Sequence, residues 1–71
     1  MHDEDGQVRY EIRVRGALGD TLLQAFPDFR AQTEGAVTVL TGTLRDHAAL
    51  HGVLAEIGAL GLELLELRRT P

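Results

Sequence analysis

The stretch of sequence that decides the fold is VRYEIRVR, residues 8–15. Apolar and charged residues alternate along it, and this period predicts a strand with one buried and one charged face. The apolar positions are Val8, Tyr10, Ile12 and Val14, and the charged positions are Arg9, Glu11, Arg13 and Arg15. Gly16 follows the last arginine and is expected to end the strand.

The residues after this strand predict a short helix and then a β-hairpin. Leucines and a phenylalanine at helical spacing indicate a helix over residues 18–26, and Pro27 disfavours its continuation. Residues 29–33 and 36–41 read as two short strands around a Glu34-Gly35 turn. Within the second strand we expect Val37 and Val39 to face the core, with Thr38 and Leu40 on the opposite face. Residues 42–45 are then a connection.

A longer helix and a last strand complete the chain. Asp46 is a good N-cap for the helix HAALHGVLAEIGAL, residues 47–60, and Gly61 fits the position after its end. Gly52 and Gly58 weaken this helix, and either would permit close approach to a strand. The apolar stripe of the helix is Leu50, Val53, Leu54, Ile57 and Leu60. The segment LELLELRR, residues 62–69, predicts a strand with leucines on both faces.

The order strand, helix, two strands, helix, strand predicts an α+β fold, the ferredoxin-like βαββαβ sandwich. Right-handed crossovers put both helices on one face of a four-stranded antiparallel sheet, in the spatial order fourth, first, third, second strand. We expect residues 8–71 to form this single domain and the acidic residues 1–7 to form a flexible tail. The other face of the sheet stays open.

That open face and the last strand together form the predicted interaction surface. Arginines of the first strand are expected to lie beside leucines of the last strand, either Leu62 and Leu64 or Leu65 and Leu67. The residues predicted at the interface are Arg13, Arg15, Leu40, Leu64, Leu65 and Leu67. A chain of 71 residues buries only a small core, so a second copy is the expected partner. Two alternatives stay open: another protein binds there, or the leucines pack under the tail or the helix ends.

Three segments of the chain, RVRG, TVLTG and DHAALHGVLAEIGALGLELLELRR, resemble a group of small bacterial proteins of actinobacterial type. The resemblance spans residues 9–69 and implies a ferredoxin-like fold and a bacterial origin, but no activity. The chain departs from the group at His47, where glutamine is frequent, and at residues 18–29, where many members carry a tryptophan. Because of the second departure, the resemblance does not imply that a pocket near the first helix is shared with the group.

Composition restricts the class of partner and of chemistry. The net charge of −4 argues against nucleic acid, and no apolar run is long enough for a membrane span. The chain has no cysteine, so disulfides and thiolate metal sites are excluded. We expect a cytoplasmic protein, and we predict no cofactor, no metal ligand and no catalytic residue.

Histidines and acidic residues are the remaining candidates for chemistry. His47 and His51 share a helix face at a spacing that can hold a metal, but no third ligand is evident, and solvated or structural roles are favoured. The acidic group His2 to Asp5 is expected to be solvated.

The leading hypothesis for function is a small non-enzymatic interaction or regulatory module that self-associates. The alternative is a domain that senses a small, amino-acid-like ligand at a dimer interface, with the loop of residues 16–20 near the ligand. A small enzyme of the dimeric ferredoxin-like kind ranks lowest, because the short first helix leaves little volume for a pocket.

Overall fold

The computed structural model describes residues 7–70. Six of the seven residues of the predicted acidic tail, including the His2 to Asp5 group, lie outside the described residues. The elements are β1 (Val8–Arg15), α1 (Asp20–Leu23), β2 (Phe29–Glu34), β3 (Val37–Leu44), α2 (His47–Ala59) and β4 (Leu64–Thr70). The predicted order of strands and helices is confirmed.

The four strands form one antiparallel sheet in the order β2-β3-β1-β4. Ile12 of β1 lies opposite Leu40 of β3 on one side and opposite Leu67 of β4 on the other. This is the ferredoxin-like α+β arrangement predicted from the sequence. β1 is a central strand, and its apolar and charged residues alternate regularly because one of its faces packs on the core and the other is open.

The hydrophobic core lies between one face of the sheet and the two helical segments. Its buried cluster comprises Ile12, Val14, Phe26, Leu40 and Ile57. Half-buried residues from α1 and α2, such as Leu23 and Val53, pack against the same cluster. Both helices therefore cover the face that carries Ile12 and Leu40, and the opposite face is open.

The predicted orientation of β3 is wrong by one residue. Directly opposed residues of an antiparallel pair share a face, and Leu40 and Thr38 lie opposite Ile12 and Val14 of the core face. Val37 and Val39 consequently lie on the open face, opposite the arginines of β1. Leu40, predicted at an interface on the open face, is instead a core residue with 1% of its surface exposed.

β3 is also longer than predicted, because residues 42–44 continue the strand rather than form a connection. Gly42, Thr43 and Leu44 pair with the first three residues of β1. The β2–β3 turn contains Gly35, whose φ of 62° lies in the left-handed region that favours glycine.

The two helices differ in how well their ends are fixed. α1 covers only four residues of the predicted 18–26, and its continuation to Phe26 uses tighter i→i−3 hydrogen bonds. α2 begins at the Asp46 N-cap, whose carboxylate accepts a hydrogen bond from the Ala49 N–H at 2.8 Å. Its end has the predicted left-handed Gly61, with φ of 75°. Neither helix of residues 7–70 has the length and apolar character that a bilayer crossing requires.

Candidate interaction surface on the last strand

β4 is an edge strand, and this position exposes its backbone. It pairs with β1 along one side, and within residues 7–70 no strand pairs with its other side. Alternate N–H and C=O groups along that side consequently lack strand partners. An edge of this kind is a template for pairing with another strand.

Three leucines of β4 are the exposed large hydrophobic residues of the described chain. Leu64, Leu65 and Leu67 expose 42%, 39% and 37% of their surfaces. They are absent from the group of side chains that packs against the buried core, whereas Leu62, just before the strand, belongs to it. The strand thus combines free backbone groups with uncovered apolar side chains.

Leu64 and Leu67 do not line the open face of the sheet as predicted. Leu67 lies opposite Ile12 and Leu64 opposite Val14, so both lie on the helix-covered face, beyond the reach of the helices. Leu65 is the extra residue where the register shifts between Arg13 and Val14. The predicted row of leucines beside the arginines is therefore wrong.

The open face carries charged side chains from β4 in place of leucines. Glu66 lies opposite Arg13, and Arg68 opposite Glu11. Arg13 Nε donates to Glu11 Oε2 at 2.9 Å and lies 3.6 Å from Glu66 Oε1, while its NH1 lies 3.6 Å from Glu34 Oε1. Arg68 Nε lies 3.3 Å from Glu66 Oε2, and its NH2 lies 3.7 Å from Glu11 Oε2. Three strands thus share one network of alternating charges.

Comparison with known proteins places the chain in a family. Residues 9–68 match the model of a family described as "Domain of unknown function (DUF8691)". The chain belongs to this family. No curated protein matches the chain. No solved structure matches it either.

In this DUF8691 domain the predicted interface residues fall into three places. Leu64, Leu65 and Leu67 are brought together on the β4 edge. Arg13 is at the centre of the ion-pair network, and Arg15 donates from Nε to Glu63 Oε1 at 2.8 Å. Leu40 is separated from all of them in the core.

Glu66 and Arg68 are the surface residues that the sequence analysis missed. Their signal was present, because the two charges alternate with Leu65 and Leu67 in the segment LELR. In regular alternation Leu62 and Leu64 would lie on one face of the strand and Leu65 and Leu67 on the other, so the segment was predicted to have two apolar faces. The register shift at Leu65 explains the apparent double face.

The remaining candidates lie elsewhere on the domain. His47 and His51 are exposed on α2, and in the part of the chain that the structure describes no three metal-ligating side chains gather. The loop of residues 16–20 is fixed by Thr38, whose hydroxyl donates to the Gly16 carbonyl at 2.6 Å and accepts from the Leu18 N–H at 3.2 Å. Ligand sensing at that loop stays a prediction.

Proposed function

We propose that this domain is a small non-enzymatic interaction module that self-associates through its last strand. The observation that carries the proposal is the set of three exposed leucines on an edge strand whose outer backbone groups have no strand partner within residues 7–70. Uncovered apolar side chains beside free strand-pairing groups are typical of a surface that binds another protein chain.

The contrast between the two edges of the sheet supports β4 as the binding edge. β2, the other edge strand, presents the sequence FRAQTE, which has no exposed large hydrophobic residue. β4 presents LLELRRT, with its three leucines exposed. The open face is a poorer candidate than β4, because its central arginine is already surrounded by carboxylates.

A second copy is the occupant that we propose, and the small core supports this. Within residues 7–70 eight hydrophobic residues are buried, five of them in one cluster, and chains of this size gain stability from a partner subunit. A two-fold dimer would cover the same leucines on both copies. A bacterial, actinobacterial-type and cytoplasmic setting is part of the proposal, and it rests on the resemblance of residues 9–69 described above.

Sedimentation equilibrium over a wide concentration range tests the proposal. We expect a dimer mass for the wild type, and we expect Leu67→Arg to raise the dimer Kd about tenfold or more, because a charge on the edge opposes strand pairing. Ala31→Arg is the matched control, since Ala31 is exposed on the helix-covered face of the other edge strand. We expect it to leave the dimer intact.

Two outcomes would overturn the proposal. A wild-type chain that stays monomeric at the highest attainable concentration removes self-association. A dimer that Leu67→Arg leaves unchanged places the contact away from β4. Circular dichroism of each variant establishes that the domain is still folded.

A further inference from the structure

The charges of β4 determine how two copies can pair, provided that the proposed self-association through this strand holds. Glu66 and Arg68 lie two residues apart on the open face, with Leu67 between them on the helix-covered face. Their side chains are 48% and 56% exposed, so both can reach a neighbouring strand.

Two-fold symmetry leaves few ways of pairing β4 with itself. When the two-fold axis is perpendicular to the sheet, it passes between one residue of β4 and the same residue of the partner strand. The helices of both copies then lie on the same face of the combined sheet. An axis at Glu66 would place two carboxylates opposite each other, and an axis at Arg68 would do the same with two guanidinium groups. Like charges directly opposite each other destabilise a strand pair.

An axis at Leu67 avoids both repulsions. Leu67 then faces its own copy, and Glu66 of each strand faces the partner's Arg68, which gives two attractive pairs related by symmetry. We infer that two copies of this chain pair their β4 strands antiparallel about an axis at Leu67 and form one continuous eight-stranded sheet.

The ion-pair network of each copy reaches the proposed interface. Glu66 already lies 3.6 Å from Arg13, so the partner's Arg68 would join the two networks into one across the dimer. Among axes at Glu66, Leu67 and Arg68, the charged residues on β4 thus favour the axis at Leu67 and disfavour a shift of two residues in either direction. The register shift at Leu65 lies away from the axis, and it leaves Glu66–Thr70 in regular pairing.

Charge reversal on β4 tests the register directly. In the Glu66→Arg dimer the new arginine of each copy would lie opposite the partner's Arg68, which gives two pairs of like charges. In the Arg68→Glu dimer the new glutamate of each copy would lie opposite the partner's Glu66, which again gives two such pairs. We expect each variant alone to raise the dimer Kd about tenfold. A mixture of the two restores opposite charges at both positions, so native mass spectrometry is expected to show the heterodimer in clear excess over either homodimer.

Glu34→Arg is the matched control for Glu66→Arg. Glu34 and Glu66 both lie 3.6 Å from Arg13 and are about equally exposed, 51% and 48%, but Glu34 belongs to β2. The control loses the same type of contact within one copy and changes the net charge equally. We expect it to dimerise as the wild type does.

Cysteine cross-linking gives a second test, because the chain has no cysteine of its own. At the axis, Leu67→Cys places two thiols on opposed residues whose Cα atoms lie roughly 4.5–5.5 Å apart, within disulfide range. Leu65→Cys, at nearly the same exposure, places them four residues apart along the strands, about 14 Å, and is the control. Under mild oxidation we expect a covalent dimer from Leu67→Cys only.

The outcomes separate the register from the proposed function. A monomeric wild type contradicts both. A wild-type dimer that Leu67→Arg disrupts, but that shows no heterodimer excess and no cross-link at position 67, contradicts the register and leaves self-association through β4 standing. Heterodimer excess together with the cross-link at position 67 supports the register.

Discussion

At the scale of single residues, Gly42 is the position where the fold excludes a side chain. It lies within β3, opposite Tyr10 of β1 and Phe29 of β2. A Cβ atom at Gly42 would lie 2.6 Å from the Asp28 carbonyl oxygen and 2.9 Å from Phe29 Cδ2. The first of these neighbours is backbone, so the chain at the start of β2 would have to move.

Gly42→Ala is therefore expected to destabilise the domain. Overpacking of this kind costs about 2 kcal/mol of unfolding free energy. Gly52→Ala on α2 is the control with the opposite sign, because among the described residues no neighbour lies within 4 Å of its added Cβ. Alanine there improves helix propensity, by up to ~1 kcal/mol. Urea denaturation measures both, and a Gly42→Ala variant as stable as the wild type would contradict the close approach.

Thr38 is the residue that made the orientation of β3 unpredictable. The run AVTVLT alternates valine with threonine, and burial of the valines is the simpler expectation. Thr38 is nevertheless 1% exposed, and its hydroxyl forms two hydrogen bonds with the backbone of residues 16 and 18. Because those bonds satisfy the hydroxyl, its burial carries little penalty. The partners come from a distant loop, which no local pattern reveals.

At the scale of elements, α2 is fixed at both ends by its own sequence. Asp46 accepts from the third helical residue, and beyond Leu60 the N–H groups of Gly61 and Leu62 donate to the carbonyls of Gly58 and Ile57. This is the Schellman arrangement, and it satisfies carbonyl groups that the helix end leaves free. Local capping of this kind explains why the sequence predicted the limits of α2 to within one residue.

Loss of the N-cap is expected to weaken α2 measurably. Asp46→Ala removes the acceptor of the Ala49 N–H and should lower the unfolding free energy by about 1 kcal/mol. Asp46→Asn keeps an acceptor oxygen without the charge, and we expect it to retain most of the stability. Chemical denaturation of the three proteins compares them, and equal losses in both variants would mean that charge, rather than the hydrogen bond, stabilises the helix start.

The elements divide into those with local signals and those without. β1 and α2 were predicted almost to the residue, because alternation and caps are properties of adjacent positions. The orientation of β3 and the faces of β4 were not, because pairing with β1 determines them. The sequence accordingly predicted which strand carries the candidate surface, but it did not predict which face of the sheet its residues occupy. The leucines of β4 were named, and their charged neighbours were missed.

At the scale of the whole molecule, the proposed dimer changes what stabilises the fold. Within residues 7–70 one copy has eight buried hydrophobic residues, and three leucines of β4 are not among them. Pairing of the β4 strands would remove Leu67 from water and give the free edge a partner. Folding and association are then linked, so the stability of the domain depends on its own concentration.

The melting temperature is therefore expected to rise with protein concentration. For a dimer that unfolds to two chains, a hundredfold increase in protein favours the folded dimer by about 2.7 kcal/mol, which corresponds to a rise of several degrees in Tm. Leu67→Arg should show a lower Tm than the wild type at each concentration, whereas Ala31→Arg should follow the wild-type dependence. Thermal scans by circular dichroism at increasing concentration measure this dependence. A wild-type Tm that stays constant over that range would mean that the small core stabilises the domain without a second copy.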